Sequence, residues 1–225
     1  MTRDFSCAQR RETIAFFHIS GLKLVAGPLR RAPRRSPHPL MRVEIIDDTE
    51  DRGPTTVFPP GENYVDLREN PRAVEQIAPA RQYLPLRSFL AAVNSPDSSF
   101  SSASVSTQCD SPAGVDAGEA YEFASQARLV FVERSLNFEQ DRYIDLTAGL
   151  KDLLEHDSGD AMRAVLRISR CDFPAQKRRG FCLNIRLVAQ GVSAEQAEMR
   201  WGLGLARVQQ ALLFRARALR QDFSE

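Results

Sequence analysis

Two runs of alternating residues constrain the fold of this chain more than any other feature of its sequence. Residues 164–169 place an apolar side chain at every second position, and residues 183–189 do the same after a polar loop. Successive side chains of a β-strand point to opposite faces, so each run predicts a strand with one apolar face. The short polar loop between the runs then predicts an antiparallel hairpin.

A symmetric loop around residues 174–180 would also define the register of this hairpin. It would place Ile168 opposite Ile185 and Cys171 opposite Cys182. Directly opposed residues of antiparallel strands have Cβ atoms within about 5.5 Å of each other, so the two thiols would lie side by side on the polar face. Arg10-Arg11 precede an apolar stretch that is too short and interrupted for a typical export signal. We therefore expect both thiols to be reduced, with a disulfide between them as the alternative.

Three flanking segments complete the predicted domain. Residues 128–133 are β-branched and aromatic, which favours a strand, and leucines recur at helical spacing across residues 146–154. Residues 193–220 carry one apolar face at helical spacing and predict a long C-terminal helix. The order β-α-β-β-α indicates an α+β domain over residues 119–225, with a small antiparallel sheet.

The N-terminal half has a different composition. Residues 1–40 end in a stretch rich in Arg and Pro and predict a poorly ordered extension, with Met41 as an alternative start of the protein. Residues 41–93 predict a weakly structured segment. The serine-rich residues 94–118 predict a linker, because they bury too little apolar area to offset their ordering entropy. We therefore expect residues 119–225 to fold without the rest of the chain.

Charge and cysteine usage narrow the functional classes. The 30 basic and 29 acidic residues leave a formal charge of +1, which favours neither a nucleic acid nor a membrane as partner. The four cysteines form no C-x-x-C pair, the three histidines add no metal-binding spacing, and no apolar run is long enough to span a membrane. No phosphate-binding loop or nucleophile motif is present. These patterns predict a cytoplasmic, bacterial-type protein and favour a non-enzymatic role without a metal or cofactor. An enzyme remains a third interpretation, because an active site can be built from residues too dispersed to recognise in one sequence.

Two glycines interrupt the predicted C-terminal helix. Gly202 and Gly204 lie inside its apolar pattern, where each glycine costs about 1 kcal/mol relative to alanine. Two interpretations account for them. Either the helix breaks at this point, or the missing side chains allow another element to approach closely.

If the helix breaks at Gly202, residues 191–220 resemble the C-terminal helix-turn-helix of bacterial RNA polymerase sigma factors. The matching features are the Gly-x-Ser start at residues 191–193, the turn glycine, and a second helix with Val208 and Leu212 on its buried side. In that family the second helix enters the major groove of DNA. The resemblance implies base contacts from Arg207, Gln209 and Gln210, and phosphate contacts from Arg215, Arg217 and Arg220.

If the helix is continuous, it lies on the hairpin with the glycines at close contacts and with Trp201 in the core. The protein is then best interpreted as a non-enzymatic binding or assembly module. It would act through the sheet face or the C-terminal helix, with a protein partner or a second copy of the chain as its ligand. A DNA-binding transcriptional regulator that uses residues 191–220 is the alternative.

Overall fold

The predicted hairpin is present in the computed structural model of the chain as two long antiparallel strands. The structure describes residues 41–50, 55–58, 65–110, 121–155 and 161–222, with side chains up to residue 219. All of them belong to one compact unit. The predictions made for residues 1–40 lie outside the described residues.

The strands form one mixed sheet in the order β1-β5-β6-β4-β3, with the short β2 also beside β5. Strands β1 and β2 run parallel to β5, and the remaining neighbours are antiparallel. The bounds are β1 Arg42–Asp48, β2 Thr55–Thr56, β3 Phe100–Asp110, β4 Tyr121–Phe131, β5 Met162–Phe173 and β6 Arg178–Gly191. The predicted sheet was therefore too small, and its all-antiparallel character is wrong because β1 joins it in the parallel direction.

The α+β class and the predicted order of elements are confirmed. From residue 121 the chain runs β4-α3-β5-β6-α4, which is the expected β-α-β-β-α. The α-helices are α1 Ala78–Gln82, α2 Leu84–Val93, α3 Gln140–Leu154 and α4 Ala194–Asp222. Short 3-10 helices occupy Pro71–Gln76, Arg134–Phe138 and Pro174–Gln176. In the described parts of the chain, no helix combines the length and apolar character that crossing a membrane requires.

The core lies between the sheet and helices α2, α3 and α4. Trp201 is fully buried, and its ring centroid lies 4.5 Å from that of Phe123 on β4. Tyr143 of α3 and Phe89 of α2 are also buried in the same apolar cluster. The apolar stripe of α4 is thus used in the core, as a helix that packs on a sheet requires.

The observed hairpin register differs from the predicted one by two residues. Ile168 pairs with Leu183, Cys171 pairs with Gly180, and Cys182 pairs with Ser169. The strands continue closer to the turn than their polarity suggests, because the connection consists only of residues 174–177. Each residue still points to its predicted face, since a shift of two residues preserves the alternation of a strand.

The prediction of a linker is wrong for residues 94–110. Most of this stretch forms β3, which pairs along its length with β4. Asn94 helps to hold the start of the strand, because its side chain accepts a 2.9 Å hydrogen bond from the Ser102 N–H and donates one of 2.9 Å to the Ser102 hydroxyl. Backbone pairing and such side-chain bonds stabilise a strand that its composition does not favour. Residues 111–118 lie outside the described residues.

Residues 41–93 are also more structured than predicted. Strand β1 completes one side of the sheet, and Met41, Val43 and Leu90 belong to the main apolar cluster. A chain beginning near residue 119 would therefore lack β1, β3 and α2. These elements share the sheet and the main apolar cluster, which argues against the prediction that residues 119–225 fold without the rest.

The C-terminal helix is continuous through both glycines. Helix α4 runs from Ala194 to Asp222 without the turn at Gly202 that a helix-turn-helix needs, and the element before it is strand β6 rather than a helix. A Cβ atom at Gly204 would meet the Leu187 side chain of β6 at 3.1 Å, and one at Gly202 would meet Pro85 of α2 at 3.1 Å. The interpretation of the glycines as close contacts is confirmed.

Candidate functional site

The two faces of the sheet have different surroundings. Among the residues that the structure describes, helices α2, α3 and α4 pack on one face. We call the opposite surface the open face. Its side chains include the pair Arg167 and Asp48, whose charged groups lie 2.9 Å apart, and Arg128, which donates a 3.1 Å hydrogen bond to Asn184.

A second apolar cluster lies at one end of the open face. Its buried members are Val57, Val130, Cys171, Phe173 and Cys182. Phe58 and Phe138 pack against this cluster and are only partly buried. The open face therefore combines charged and polar side chains with the buried Ala124, Val165 and Val188, and it is most apolar at the end where the β5–β6 connection lies.

A pocket of about 320 Å³ lies over this cluster, and we call it the end pocket. Its volume falls at the lower end of the range of small-molecule sites. The apolar part of its wall includes Val57, Phe58, Val130, Val132, Phe138 and Phe173. The polar part includes Asp66, Arg68, Ser101, Arg134, Asn137 and Gln176.

Arg68 and Asp66 of the end pocket are engaged with the backbone. The Arg68 Nη1 atom donates hydrogen bonds of 2.9 Å to the Ser95 carbonyl and 3.2 Å to the Ser98 carbonyl. One carboxylate oxygen of Asp66 accepts a 2.8 Å hydrogen bond from the Arg68 N–H. Arg68 thus stabilises the loop that enters β3, and Asp66 stabilises the turn that carries Arg68.

Asn137 is the most constrained polar residue in the wall. Its Oδ1 atom accepts a 2.8 Å hydrogen bond from the Phe131 N–H and a 2.6 Å hydrogen bond from the Tyr143 hydroxyl, while its Nδ2 atom donates 2.9 Å to the Phe131 carbonyl. Burial raises the pKa of Tyr143 well above its ordinary value. The Asn137 side chain therefore caps the last residue of β4 and links it by hydrogen bonds to Tyr143 of α3.

The outer rim of the end pocket is basic. Arg134 is exposed, and the guanidinium carbon of Arg178 lies 3.9 Å from the centroid of the Phe138 ring. This distance is typical of a cation–π contact. Arg134 therefore lines the end pocket, and Arg178, which is not one of its wall residues, adds a second arginine beside the Phe138 ring.

Phe58 shows an unusual backbone conformation at this site. Its φ angle is 55°, in the left-handed region that bulky side chains rarely adopt. Such conformations persist only where the surrounding structure holds them, and they concentrate at binding sites. The packing of Phe58 against the second apolar cluster supplies such a constraint.

The two predicted hairpin thiols lie beneath the end pocket. Cys171 and Cys182 are both fully buried and both free. The hydrogen bond to the Cys182 sulfur and burial together raise the pKa of the Cys171 thiol. The pair is adjacent but not directly opposed, because the register differs from the predicted one.

The residues predicted to contact DNA are distributed around a single helix. Gln210 and Arg217 are exposed, Arg207 and Gln209 are half-buried, and Arg220 lies in the last turn with its side chain outside the described residues. Arg215 packs across α3, where its guanidinium group lies over Gly149 and its Nε atom is buried. The structure does not bring these residues to the start of a recognition helix, and their contact with DNA stays a prediction.

Sequence reasoning did not identify the end pocket. Its wall comes from five separated stretches of the chain, none of which has a motif. The available signal was the position of Phe138 and Phe173 close to the ends of strands β4 and β5. In the described ranges, no group of three or more Asp, Glu, His or Cys residues is arranged to hold a metal ion.

Comparisons of the chain with models of protein families, with curated proteins and with solved structures find no match. The geometry of the end pocket is therefore the main guide to the function of this protein.

Proposed function

We propose that this protein is a non-enzymatic binding module whose end pocket holds an apolar group with a neighbouring carboxylate. The observation that carries the proposal is the aromatic wall formed by Phe58, Phe138 and Phe173 below a basic rim. A concave apolar surface with a few fixed polar groups is the usual form of a ligand site. The expected ligand is a protein segment that inserts an apolar side chain next to an acidic group.

The size of the end pocket supports a single inserted side chain. A cavity of about 320 Å³ suits one aromatic ring or branched aliphatic group better than a large cofactor. Burying an aromatic side chain removes about 150–250 Å² of surface from water, and each Å² of apolar surface contributes about 25 cal/mol. One such anchor can provide much of the affinity of a small interface.

The charges at the rim support an acidic neighbour. Arg134 is exposed beside the opening, and Arg178 is held over the Phe138 ring. Asp66 already accepts a backbone hydrogen bond, so its charge is partly compensated. An exposed ion pair contributes about 0.2–1 kcal/mol, which corresponds to a preference of about 1.4- to 5-fold for the acidic ligand.

The polar wall residues favour binding over catalysis. Arg68, Asp66 and Asn137 use their side chains to hold backbone groups in place. Groups with such fixed partners are suited to shaping a pocket. We therefore assign them a structural role in the binding site.

A matched pair of small probes tests the proposal. We expect NMR titration of the full chain with 3-phenylpropionate and with 3-phenylpropanol to shift resonances of Val132 and Phe138, with the acid binding about 1.4- to 5-fold more tightly. Arg134→Glu should remove this preference. Arg217→Glu, which changes an exposed arginine on α4, should leave it unchanged.

A second matched pair tests the apolar wall. Val132 is 39% exposed and lines the end pocket, whereas Val192 is 83% exposed and does not line it. Val132→Glu should weaken both probes, and Val192→Glu should weaken neither. The proposal would be refuted if a large excess of either probe shifted no resonance at the end pocket of the folded protein. It would also be refuted if Val132→Glu and Val192→Glu weakened probe binding equally.

A further inference from the structure

Strand β3 forms one edge of the sheet and differs in composition from the other edge. Among the described strands it pairs only with β4, so the backbone groups on its outer side face away from the sheet. From Phe100 to Cys109 it contains no charged residue and no proline. The opposite edge, β1, carries Arg42, Glu44 and two aspartates within seven residues.

Charged residues and prolines are the usual means by which a protein prevents strands from adding to an edge. Strand β1 has such protection, and β3 does not. A free edge of this length and composition is a template for pairing with another strand. Within the part of the chain that the structure describes, the outer edge of β3 is therefore a place where another strand can add.

We propose that β3 pairs with β3 of a second copy of this chain, in an antiparallel arrangement about a twofold axis. The proposal goes beyond the end pocket and does not depend on it. The segment from residue 104 to 109 follows the register irregularity near Ser102 and pairs regularly with β4. Its side chains are small or neutral, so a twofold pairing brings no like charges together.

The surroundings of β3 favour a second copy over a foreign peptide. Recognition of a foreign strand usually depends on pockets for its alternate side chains. The β3 residues from Ser104 to Cys109 do not line the end pocket; Ser101, which does, lies before the irregularity. The partner strand is then selected by its ability to pair with the β3 backbone and by its lack of charged side chains. The β3 strand of a second copy meets both requirements.

The pairing would also continue the faces of the sheet across the axis. Val105 and Thr107 lie on the helix-covered side, opposite Ala127 and Ser125 of β4. Ser104 and Ser106 lie on the open side and are exposed. A β3–β3 pair would therefore join the open faces of the two copies into one surface. On the helix-covered side it would bring the β-branched Val105 and Thr107 of the two copies together.

Charge placed on the edge tests the proposal. We expect the full chain to sediment near twice its mass of 25.2 kDa at micromolar concentration. Ser104→Lys with Ser106→Lys should raise the dimer dissociation constant at least about tenfold, because like charges are then opposed across the axis. Circular dichroism of this variant should remain that of the folded protein, since both serines are exposed.

The control adds the same charge elsewhere. Gln126 is the β4 neighbour of Ser106, and Gln210 lies on α4; both are exposed. Gln126→Lys with Gln210→Lys should leave the dimer intact. Mixing the double lysine variant with a Ser104→Glu, Ser106→Glu variant should restore dimerisation, because the complementary charges favour a heterodimer of the two variants. A monomeric wild-type chain, or a dimer that the edge lysines do not weaken, would overturn the proposal.

Discussion

The indole nitrogen of Trp201 donates a 2.8 Å hydrogen bond to the hydroxyl of Ser125. Trp201 lies on α4 and Ser125 on β4, and both are buried. This bond joins the long helix to the middle of the sheet at a point where Phe123 and Tyr83 also pack on the indole ring.

Replacing Ser125 with alanine should lower the free energy of unfolding by about 1–3 kcal/mol, because the indole N–H would remain buried without an acceptor. Urea denaturation measures the loss. In a Trp201→Phe background, which has no N–H, the same replacement should cost much less. Equal losses in both backgrounds would mean that the hydrogen bond does not stabilise the fold.

Tyr143 should make stability depend on alkaline pH. Burial raises its pKa in the folded chain above the ordinary value of 10.0. Above about pH 10 the unfolded chain loses this proton while the folded chain keeps it, so the free energy of unfolding falls as pH rises, by up to about 1.4 kcal/mol per pH unit. Below about pH 10 this contribution is constant.

Tyr143→Phe should remove this slope and lower stability at neutral pH by about 1 kcal/mol, because the 2.6 Å hydrogen bond to Asn137 is lost. The measurement is urea denaturation of both proteins from pH 7 to 11. If the free energies of unfolding of the two proteins fell in parallel over this pH range, the alkaline slope would not come from Tyr143.

The two glycines of α4 should respond differently to alanine. A Cβ atom at Gly204 would lie 3.1 and 3.2 Å from the Leu187 methyl carbons and 3.2 Å from the Met162 sulfur. At Gly202 the one contact of this kind is with Pro85, at 3.1 Å. Alanine improves helix propensity at both sites by about 1 kcal/mol, but crowding of core side chains costs about 1–3 kcal/mol.

We therefore expect Gly202→Ala to be more stable than Gly204→Ala by about 1–2 kcal/mol, measured as a difference in urea midpoint at equal slope. Gly202→Ala should remain as helical as the wild type. A large loss of helicity in Gly202→Ala would contradict a continuous α4.

The thiols should differ in reactivity. Cys109 is exposed on β3, whereas Cys171 and Cys182 are buried. In a Cys7→Ser background, a thiol reagent such as DTNB should label one cysteine of the folded protein rapidly and the other two only after unfolding. Cys109→Ser should abolish the rapid phase. Rapid labelling of three thiols would contradict the closed packing of the second apolar cluster.

Much of the fold followed from local patterns. Alternation at residues 164–169 and 183–189 predicted β5 and β6, and helical spacing predicted α3 and α4. The face of each hairpin residue was predicted correctly although the register was not. The period of a strand is a local property, whereas its register depends on the turn and on the neighbouring strand.

The candidate site could not be predicted in this way. Phe58, Arg68, Ser101, Phe138 and Phe173 meet in the end pocket from separate parts of the chain. Their proximity depends on the order of strands in the sheet and on the path of the connections at its end. Neither is encoded in the spacing of residues within one element.

The sequence by itself determined which segments between residues 121 and 222 become strands or helices, because residue periodicity reports the burial of each element. The tertiary structure decided that the serine-rich β3 is a strand, since its backbone pairs with β4 whatever its side chains prefer. It also decided that α4 continues through Gly202 and Gly204, because contacts with Pro85, Leu187 and Met162 occupy the space that a side chain would need. Packing against distant residues outweighs a local propensity of about 1 kcal/mol per glycine.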